Sequence, residues 1–398
     1  MLFGGHSVEH EVSVISGIQA LMALDSTRYE GIPLYITKDN CFYTGGRTGD
    51  IEAYRDIPAL LAGATRVLLV PAGGGTVEMI RYPMKKFGSN VVGTFEAALP
   101  AVHGTNVEDG TLMGMLEMLG VPYAGCDVTA SALGMDKYQM KAALRQAGLP
   151  VLDAVQFTGK AYAADSGAVL DAAEAKLTYP VIVKPVNLGS SVGISRAGDR
   201  GALRQALDAA FGYAPRVLVE RAVPHLREIN CAVLGDLDGA QASACEIPVS
   251  SDDILSYRDK YLGGGKGAKG ASGDGAKSAG MSGLKRRCPA DIPDELTAQV
   301  QRLAVDTFRA LGCAGVARID FLNDTESGGL WVNEINTIPG SLAFYLWEAA
   351  GLPFGKLLDK MIALAFKRQR DRDALTFSYD TNLLAGVTLG GAKGAKGR

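Results

Sequence analysis

Four polar side chains alternate along two apolar segments near the end of the chain. Arg318 and Asp320 lie two residues apart, and so do Glu334 and Asn336. Because residues two apart in a β-strand point to the same face, each pair would share one face of its strand. If the two strands pair, an arginine, two carboxylates and an amide converge, and such oxygens suit Mg²⁺, whose shell substrate phosphates usually complete. A half-exposed sheet face with an ordinary ion pair would show the same pattern.

A tight turn follows the second of these segments. Residues 337–341 read Thr-Ile-Pro-Gly-Ser, and Gly340 allows the chain to turn close to the carboxylates. A backbone N–H at such a turn can donate to an oxygen on which negative charge develops during a reaction. This run favours a catalytic site over a plain ion pair.

A lysine and a glycine–serine loop lie farther upstream. Lys184 ends an apolar segment, and residues 189–193 read Gly-Ser-Ser-Val-Gly. A lysine ammonium and several backbone N–H groups can together bind a polyphosphate. The loop is not a Walker A motif, because the Gly-x4-Gly-Lys-Ser/Thr spacing is missing. Residues 265–270 match Gly-x-Gly-x-x-Gly, but no strand precedes them, so a dinucleotide site there is rejected.

Three further charged residues fit a nucleotide site. Glu220 ends an apolar strand-like segment and Glu228 follows it, so the two carboxylates could hold an adenine amino group and a ribose. Lys137 begins a helix-like segment. Each of the three, taken alone, also fits an ordinary solvent-facing side chain.

Strand-like and helix-like segments alternate in the first part of the chain. Residues 31–36, 66–71 and 96–103 read as strands, and residues 13–23 and 109–119 read as helices. Strands that alternate with helices predict a parallel sheet with helices on its faces.

The rest of the chain mixes helices with antiparallel strands. Asp136 is a candidate cap for a helix over residues 136–147. Residues 228–234 and 241–249 read as antiparallel strands joined by a glycine-containing turn. A long helix over residues 293–312 precedes the two strands that carry the polar pairs. The pattern predicts an α/β fold whose carboxyl-terminal half is α+β.

Composition excludes several classes of protein. The chain has 398 residues and 50 glycines, but glycine keeps no period of three, which excludes collagen. Apolar residues make up 47% and charge is nearly balanced, with a net value of -3, so neither disorder nor general attraction to nucleic acid or anionic membrane is expected. No apolar run has the length of a membrane span, and the six scattered cysteines fit reduced thiols. We therefore predict a cytoplasmic enzyme or binding protein.

Much of the glycine excess lies in one segment. Residues 263–283 combine glycine with alanine, lysine and serine, and the tail repeats this theme. Such a composition predicts a flexible loop within about residues 255–287 and a disordered tail over residues 386–398. A nucleic-acid interface built from these lysines is an alternative, but no aromatic residues interleave with them.

Taken together, the motifs resemble the D-alanine–D-alanine ligase family of the ATP-grasp superfamily. The resemblance covers nearly the whole chain, and the motifs follow the family's order. Any one of them is weak, whereas all of them in order are highly specific. They are residues 4–13 (GGHSVEHEVS), His103-Gly104 with residues 108–110 (EDG), residues 135–137 (MDK), 181–185 (VIVKP), 189–193 (GSSVG), 259–262 (DKYL), 318–321 (RIDF), 333–337 (NEINT) and Pro339-Gly340.

The resemblance implies an ATP-grasp fold in three domains, with ATP bound between the last two. These are an N-terminal Rossmann-like domain over residues 1–126, a central subdomain over residues 127–224 and a C-terminal subdomain over residues 225–385. The loop over residues 255–287 would be a lid on the site.

The resemblance also implies roles for individual residues. Glu9 would bind the ammonium of the first D-alanine, and His103 would lie near its carboxylate. Glu9, Ser190 and Tyr261 resemble the family's hydrogen-bonded triad, while Arg318 and the backbone N–H of Gly340 would stabilise the transferring phosphoryl group. The residues implied in ATP binding are Lys137, Lys184, Ser190, Ser191, Glu220, Val223, Glu228 and Lys260. Those implied to hold two Mg²⁺ ions, or Mn²⁺ in their place, are Asp320, Glu334 and Asn336.

The activity implied is ATP-dependent joining of two D-alanines through a D-alanyl phosphate, for peptidoglycan precursor synthesis, by a homodimer in the cytoplasm with no nucleic-acid or membrane partner. Relatives that join D-alanine to D-serine or D-lactate are an alternative. A non-catalytic nucleotide-binding protein on the same fold is another, and the retained Arg318, Asp320, Glu334 and Asn336 argue against it.

The sequence departs from the family pattern after Gly340. By register, Tyr345 stands where a serine is expected near the carboxylate of the second substrate. The hydroxyl of Ser341 or of Tyr345 would then serve as a substitute. Tyr261 favours an amino acid over D-lactate as the second substrate.

Overall fold

The computed structural model describes residues 1–189, 192–248 and 286–377. The predicted tail over residues 386–398 lies outside the described residues, and so do the segment 263–283 and all of the predicted lid loop except residues 286 and 287. Within the described residues the chain forms three β-sheets with helices packed against them, which confirms the predicted α/β class.

The N-terminal sheet is only partly parallel, so the prediction of a parallel sheet is wrong for most of it. The first strand pairs parallel with the second, and isolated parallel bridges join Leu2 to Pro100 and Ala98 to Tyr123. The later strands pair antiparallel, and the turn at Gly73–Gly75, with all three glycines at positive φ, joins the fourth strand to the fifth as a hairpin. The strands are β1 (Leu2–Gly4), β2 (Leu34–Ile36), β3 (Phe42–Thr44), β4 (Thr65–Gly73), β5 (Thr76–Arg81) and β6 (Val91–Phe95).

The central sheet is antiparallel and lies within residues 154–221. Its strand order is β7–β10–β8–β9, so the two strands that end in Lys184-Pro185 and in Glu220-Arg221 are neighbours. Leu218 lies opposite Lys184 in this pairing. The strands are β7 (Ala154–Thr158), β8 (Val181–Pro185), β9 (Ser195–Ala197) and β10 (Arg216–Arg221).

The C-terminal sheet is also antiparallel, and it carries the polar pairs. Its order is β13–β12–β11–β14–β15, and the hairpin predicted over residues 228–249 is present as β11 and β12. Each of these strands lies within the predicted C-terminal subdomain, although the domain bounds themselves remain a prediction. The strands are β11 (Leu226–Gly235), β12 (Ala240–Pro248), β13 (Arg286–Arg287), β14 (Gly315–Asp324) and β15 (Leu330–Asn336).

The two faces of β14 serve different purposes. Ile319 and Phe321 are fully buried and pack in one core with Val300, Ala304 and Phe308 of the long helix before them. Arg318 and Asp320 alternate with those apolar residues and therefore point to the opposite face. Burial of one face thus fixes the direction in which the polar side chains project.

Aspartates cap several of the helices. Asp127, Asp136, Asp165 and Asp199 each accept a backbone N–H in the first turn of the helix that follows, which confirms the cap predicted at Asp136. None of the helices within the described residues is both long and apolar enough to span a membrane. The helices α1 to α11 span His10–Ala23, Ile57–Gly63, Thr111–Leu119, Val128–Met135, Lys137–Gln146, Gly159–Ala164, Ser166–Glu174, Arg200–Phe211, Asp294–Ala310, Phe344–Ala349 and Phe354–Asp373.

Candidate active site

The two polar pairs meet on one face of the C-terminal sheet. Strands β14 and β15 place Arg318 opposite Asn336 and Asp320 opposite Glu334, as the spacing predicts. Arg318 donates from Nε to Asp320 Oδ1 and from Nη2 to Asp320 Oδ2, at 2.7 Å each. Asn336 Nδ2 donates to Asp320 Oδ2 at 3.2 Å. An arginine, two carboxylates and an amide therefore share one small area.

The fork between Arg318 and Asp320 keeps a positive charge in place. Burial opposes the charge on the guanidinium, but the Asp320 carboxylate outweighs burial and raises the pKa of Arg318 well above its usual value. The guanidinium is therefore charged throughout the physiological pH range, and its two hydrogen bonds to Asp320 hold it in one orientation.

Lys137 joins the C-terminal sheet to the loop after β8. It is the first residue of α5, capped by Asp136, and its Nζ donates to the carbonyl of Leu188 at 2.7 Å. The same Nζ lies 3.3 Å from Glu334 Oε2. Lys137 is buried, so it is not the solvated helix lysine that its position alone would allow.

Lys184 and Glu220 form a buried ion pair within the central sheet, and Lys141 links the same carboxylate to helix α5. Glu220 is 1% exposed, with Oε1 against Lys184 Nζ and Oε2 3.0 Å from Lys141 Nζ. Burial favours the neutral carboxyl, yet the charges of Lys141 and Lys184 outweigh it and lower the pKa of Glu220 to about 2. Lys184 also donates to Asn333 Oδ1 at 2.9 Å, next to Glu334.

Two more residues expected to contact ATP lie within the described part of the chain. Val223 is half-buried just after β10, and Glu228 lies on β11 opposite Leu322 of β14. Burial opposes the charge on Lys184, but the carboxylate of Glu220, and after it those of Glu334 and Glu228, raise the pKa of Lys184. Ser190, Ser191, Lys260 and Tyr261 lie outside the described residues, so their predicted roles stay predictions.

Glu9 enters the site from the N-terminal region. It precedes helix α1 and is buried. Its carboxylate lies so close to two glycines that a Cβ at Gly104 would be 2.9 Å and a Cβ at Gly189 2.7 Å from Glu9 Oε2. Gly104 also has a φ of +83°. Side chains at these two positions would displace the carboxylate, which explains why glycines stand there.

His103 is held by two hydrogen bonds inside the protein. Its Nε2 is 2.7 Å from Ser16 Oγ, and its Nδ1 is 2.9 Å from the carbonyl of Ile338. Burial lowers the pKa of His103 despite the nearby charge of Glu9. A neutral imidazole with Nδ1–H donating to the carbonyl fits this setting.

Glu108 ties the N-terminal region to the turn after β15, a link that sequence reasoning missed. Its Oε2 accepts from the N–H of Gly104, and its Oε1 accepts from the N–H of Ile338, both at 2.9 Å. Thr337 Oγ1 lies 3.3 Å from the same Oε1. Burial, together with the charge of Glu9, raises the pKa of Glu108 to about 7. The residue was part of a quoted motif, which was the only signal for it.

We expect Glu108→Gln to lower the free energy of unfolding by about 1–3 kcal/mol. Both carboxylate oxygens accept from backbone N–H groups. In the glutamine variant one of these N–H donors would face the amide NH₂, which is itself a donor and cannot accept. Denaturant unfolding measures the difference, with the exposed Glu30→Gln as the matched control. Equal unfolding free energies for the two variants would contradict the proposed link.

The turn after Pro339 adopts an unusual backbone. Ser341, Leu342 and Ala343 have φ values of 52°, 53° and 50°, in the left-handed region that costs non-glycine residues energy. Hydrogen bonds hold the turn in place, because the N–H of Ser341 donates to Ser16 Oγ at 2.8 Å. Gly340 is half-buried at the start of this turn, shortly after Asn336 ends strand β15.

The two hydroxyls proposed for the second substrate already have partners in the protein. Ser341 Oγ donates to Gln19 Oε1 at 2.7 Å, and Tyr345 Oη donates to Glu246 Oε1 at 3.0 Å. Burial, and next the charge of Glu246, raises the pKa of Tyr345. The phenol is therefore a fixed donor and not a titrating group.

The donor set at the polar pairs suits a hard cation. Asp320 and Glu334 supply carboxylate oxygens, and Asn336 keeps its Oδ1 while Nδ2 is used on Asp320. No group of three or more histidine, cysteine, aspartate or glutamate side chains placed for a metal occurs among the residues described. Mg²⁺ is commonly bound by one or two carboxylates plus substrate phosphates, so this smaller set fits it.

Comparison with known proteins places nearly the whole chain in one family. The family model described as "D-ala D-ala ligase N-terminus" matches residues 1–126, and that described as "D-ala D-ala ligase C-terminus" matches residues 143–363. A D-alanine–D-alanine ligase of Thermosipho africanus is 36% identical over 96% of this chain and 97% of its own. One of Methylobacterium sp. (strain 4-46) is 39% identical over 92% of this chain and 91% of its own.

Solved structures give the same result. The D-alanine–D-alanine ligase from Coxiella burnetii matches with a TM-score of 0.74 and 28% identity, covering 94% of each chain. The VanG D-Ala:D-Ser ligase from Enterococcus faecalis matches with a TM-score of 0.73 and 29% identity, covering 92% of this chain and 98% of its own. The backbone is thus about equally similar to two enzymes that are named for different second substrates, so backbone similarity does not identify the second substrate.

Proposed function

The chain belongs to the D-alanine–D-alanine ligase family, and from that premise we propose that it uses ATP to join two D-alanines. The membership confirms the resemblance found in the sequence and the expected ATP-grasp fold. The product would be the dipeptide used in peptidoglycan precursor synthesis.

One observation carries the proposal, namely the convergence of Arg318, Asp320, Glu334 and Asn336 on one sheet face. Two lysines contact the same strand, because Lys137 pairs with Glu334 and Lys184 donates to the side chain of Asn333. Two lysines, an arginine and a set of oxygen ligands in one place suit a polyphosphate with its divalent cations. A non-catalytic nucleotide-binding protein would have no need of this set.

A carboxylate is a poor electrophile, so the first D-alanine must be activated by taking the γ-phosphoryl group of ATP. We propose that Glu9 orients the ammonium of this D-alanine and that Arg318 and the Gly340 N–H stabilise charge on the transferring group. The amine of the second D-alanine then attacks the carbonyl carbon of the D-alanyl phosphate, and inorganic phosphate leaves. Because the acyl phosphate would hydrolyse in water, the site must close during the reaction.

We propose Asp320, Glu334 and Asn336 as ligands of two Mg²⁺ ions, which would neutralise charge on the phosphates of ATP. Lys137 and Lys184 are proposed to contact those phosphates. Glu220 and Val223 are proposed to contact the adenine, and Glu228 the ribose. The rigid ion pairs of Lys184 and Glu220 support this, because they hold the charged groups in one arrangement before ATP binds.

Acceptor profiling tests the proposal. With Mg²⁺ and ATP, phosphate release is expected to require D-alanine, and mass spectrometry is expected to find D-alanyl-D-alanine when D-alanine, D-serine and D-lactate compete at equal concentrations. If D-alanine alone supports phosphate release but the competition yields a product that contains D-serine or D-lactate, the second substrate is not D-alanine alone. Release that needs another amino acid and ignores D-alanine would overturn the proposal.

Assembly and location complete the proposed function. We propose a homodimer, on the resemblance to the family, and light scattering of the purified protein measures its mass. We propose a cytoplasmic location because the reaction consumes ATP, and cell fractionation tests it.

A further inference from the structure

Arg286 lies at the edge of the candidate site on strand β13, opposite Pro248 of β12. Its side chain is 12% exposed, and Nη1 lies 3.3 Å from Glu246 Oε2. The guanidinium carbon stands 3.9 Å from the centre of the Tyr345 ring, in a cation–π contact. Glu246 and Tyr345 therefore fix both the position and the plane of the guanidinium.

Two nitrogens of this guanidinium are buried without a hydrogen-bond partner in the described part of the chain. They are Nε and Nη2, the edge with which an arginine binds a carboxylate through two parallel hydrogen bonds. Arg318 uses the same two nitrogens on the oxygens of Asp320. Buried N–H donors without an acceptor cost free energy of folding, so the presence of an arginine here points to a ligand that pairs with these two nitrogens.

The sheet register places this edge at a definite distance from the phosphate end of the site. Glu246, Asn230, Asp320 and Glu334 lie opposite one another in turn across β12, β11, β14 and β15. Neighbouring strands are about 4.8 Å apart, so this row spans roughly 14 Å. Asp320 and Glu334 are the proposed cation ligands at one end of the row, and Glu246 pairs with Arg286 at the other. The span is long enough for a phosphorylated amino acid followed by a second amino acid.

We propose that Arg286 binds the carboxylate of the second amino acid through Nε and Nη2, and so determines that the acceptor carries a carboxylate. This inference rests on the proposed function. The two hydroxyls expected to do this work, those of Ser341 and Tyr345, donate to Gln19 and Glu246 instead. Tyr345 acts here through its ring, as a platform for the arginine.

The test compares two acceptors, D-alanine and D-alaninamide, which differ only in the carboxylate. D-alaninamide cannot be phosphorylated as the first substrate, so any D-alanyl-D-alaninamide reports its use as acceptor. We expect the wild-type protein to prefer D-alanine strongly. In Arg286→Gln the KM for the second D-alanine is expected to rise roughly 10- to 100-fold, with the acid-to-amide preference falling by a similar factor and the KM for ATP unchanged.

Arg287→Gln is the matched control, because it changes the exposed neighbour on the same short strand, and its preference is expected to equal that of the wild type. Arg286→Lys keeps the charge but loses the fork, so its acid-to-amide preference is expected to lie between those of the wild type and Arg286→Gln. The lysine variant also replaces the glutamine variant in the test if the latter does not fold. An unchanged preference in Arg286→Gln or Arg286→Lys, with a wild type that makes the dipeptide, overturns the assignment alone. A wild type that makes no D-alanine-containing product overturns the proposed function and the assignment with it.

Discussion

Replacing Asp320 with asparagine is expected to lower turnover by roughly 100- to 1,000-fold or more, because the cations that neutralise the transferring phosphoryl group lose a carboxylate ligand. The change removes one of two carboxylates proposed to bind the cations. The change also weakens the hold on Arg318, whose guanidinium would have one acceptor oxygen in place of two. Steady-state phosphate release with Mg²⁺, ATP and D-alanine measures the effect.

The fold of this variant is expected to survive. Asparagine has nearly the volume of aspartate and keeps one oxygen for Arg318, while the packing of Ile319 and Phe321 lies on the other face of β14. Circular dichroism should therefore match that of the wild type. Asp153→Asn, at a side chain that is 90% exposed, is the control. If the Asp320 variant is unfolded under native conditions, the residue is structural. If the variant is folded and as active as the control, Asp320 is not a required cation ligand.

Local pattern was sufficient to find the chemistry of the polar pairs. The alternation of Arg318 with Asp320 and of Glu334 with Asn336 gives the shared face directly, because strand periodicity is a local property. The cap at Asp136 is local as well, and it places Lys137 in the first turn of α5. Lys141 follows one turn later on the same helix, so the same periodicity could have drawn attention to it.

Contacts between distant parts of the chain could not be read in this way. Glu108 and Ile338 are 230 residues apart, and their hydrogen bond depends on how the N-terminal region packs on the C-terminal sheet. Arg286 reaches the site only because β13 pairs with β12 in one particular register. The antiparallel part of the first sheet is a different case, since the turn at Gly73–Gly75 is a local hairpin signal that the alternation of strands and helices obscured.

Replacing Glu220 with glutamine is expected to lower the free energy of unfolding by about 3–5 kcal/mol, because two buried ammonium groups lose their counter-charge. Lys141 and Lys184 are both buried and both pair with this one carboxylate. Thermal or denaturant unfolding at neutral pH, without ATP, measures the loss separately from nucleotide binding. Glu52→Gln, in an exposed pair with Arg55, is the control and is expected to cost less than about 1 kcal/mol.

The dependence of this difference on pH identifies its cause. The pKa of Glu220 is lowered from 4.5 to about 2 in the folded protein. A carboxyl whose pKa is lower in the folded than in the unfolded chain stabilises the fold above the unfolded value, and that stabilisation is lost as the pH falls toward the folded value. The difference in unfolding free energy between wild type and Glu220→Gln should thus be constant above about pH 5 and shrink by roughly 3 kcal/mol between pH 4.5 and pH 2. A difference that is the same at every pH would mean that glutamine disturbs packing, because the two proteins share every other carboxyl and differ in this range only in the charge at position 220.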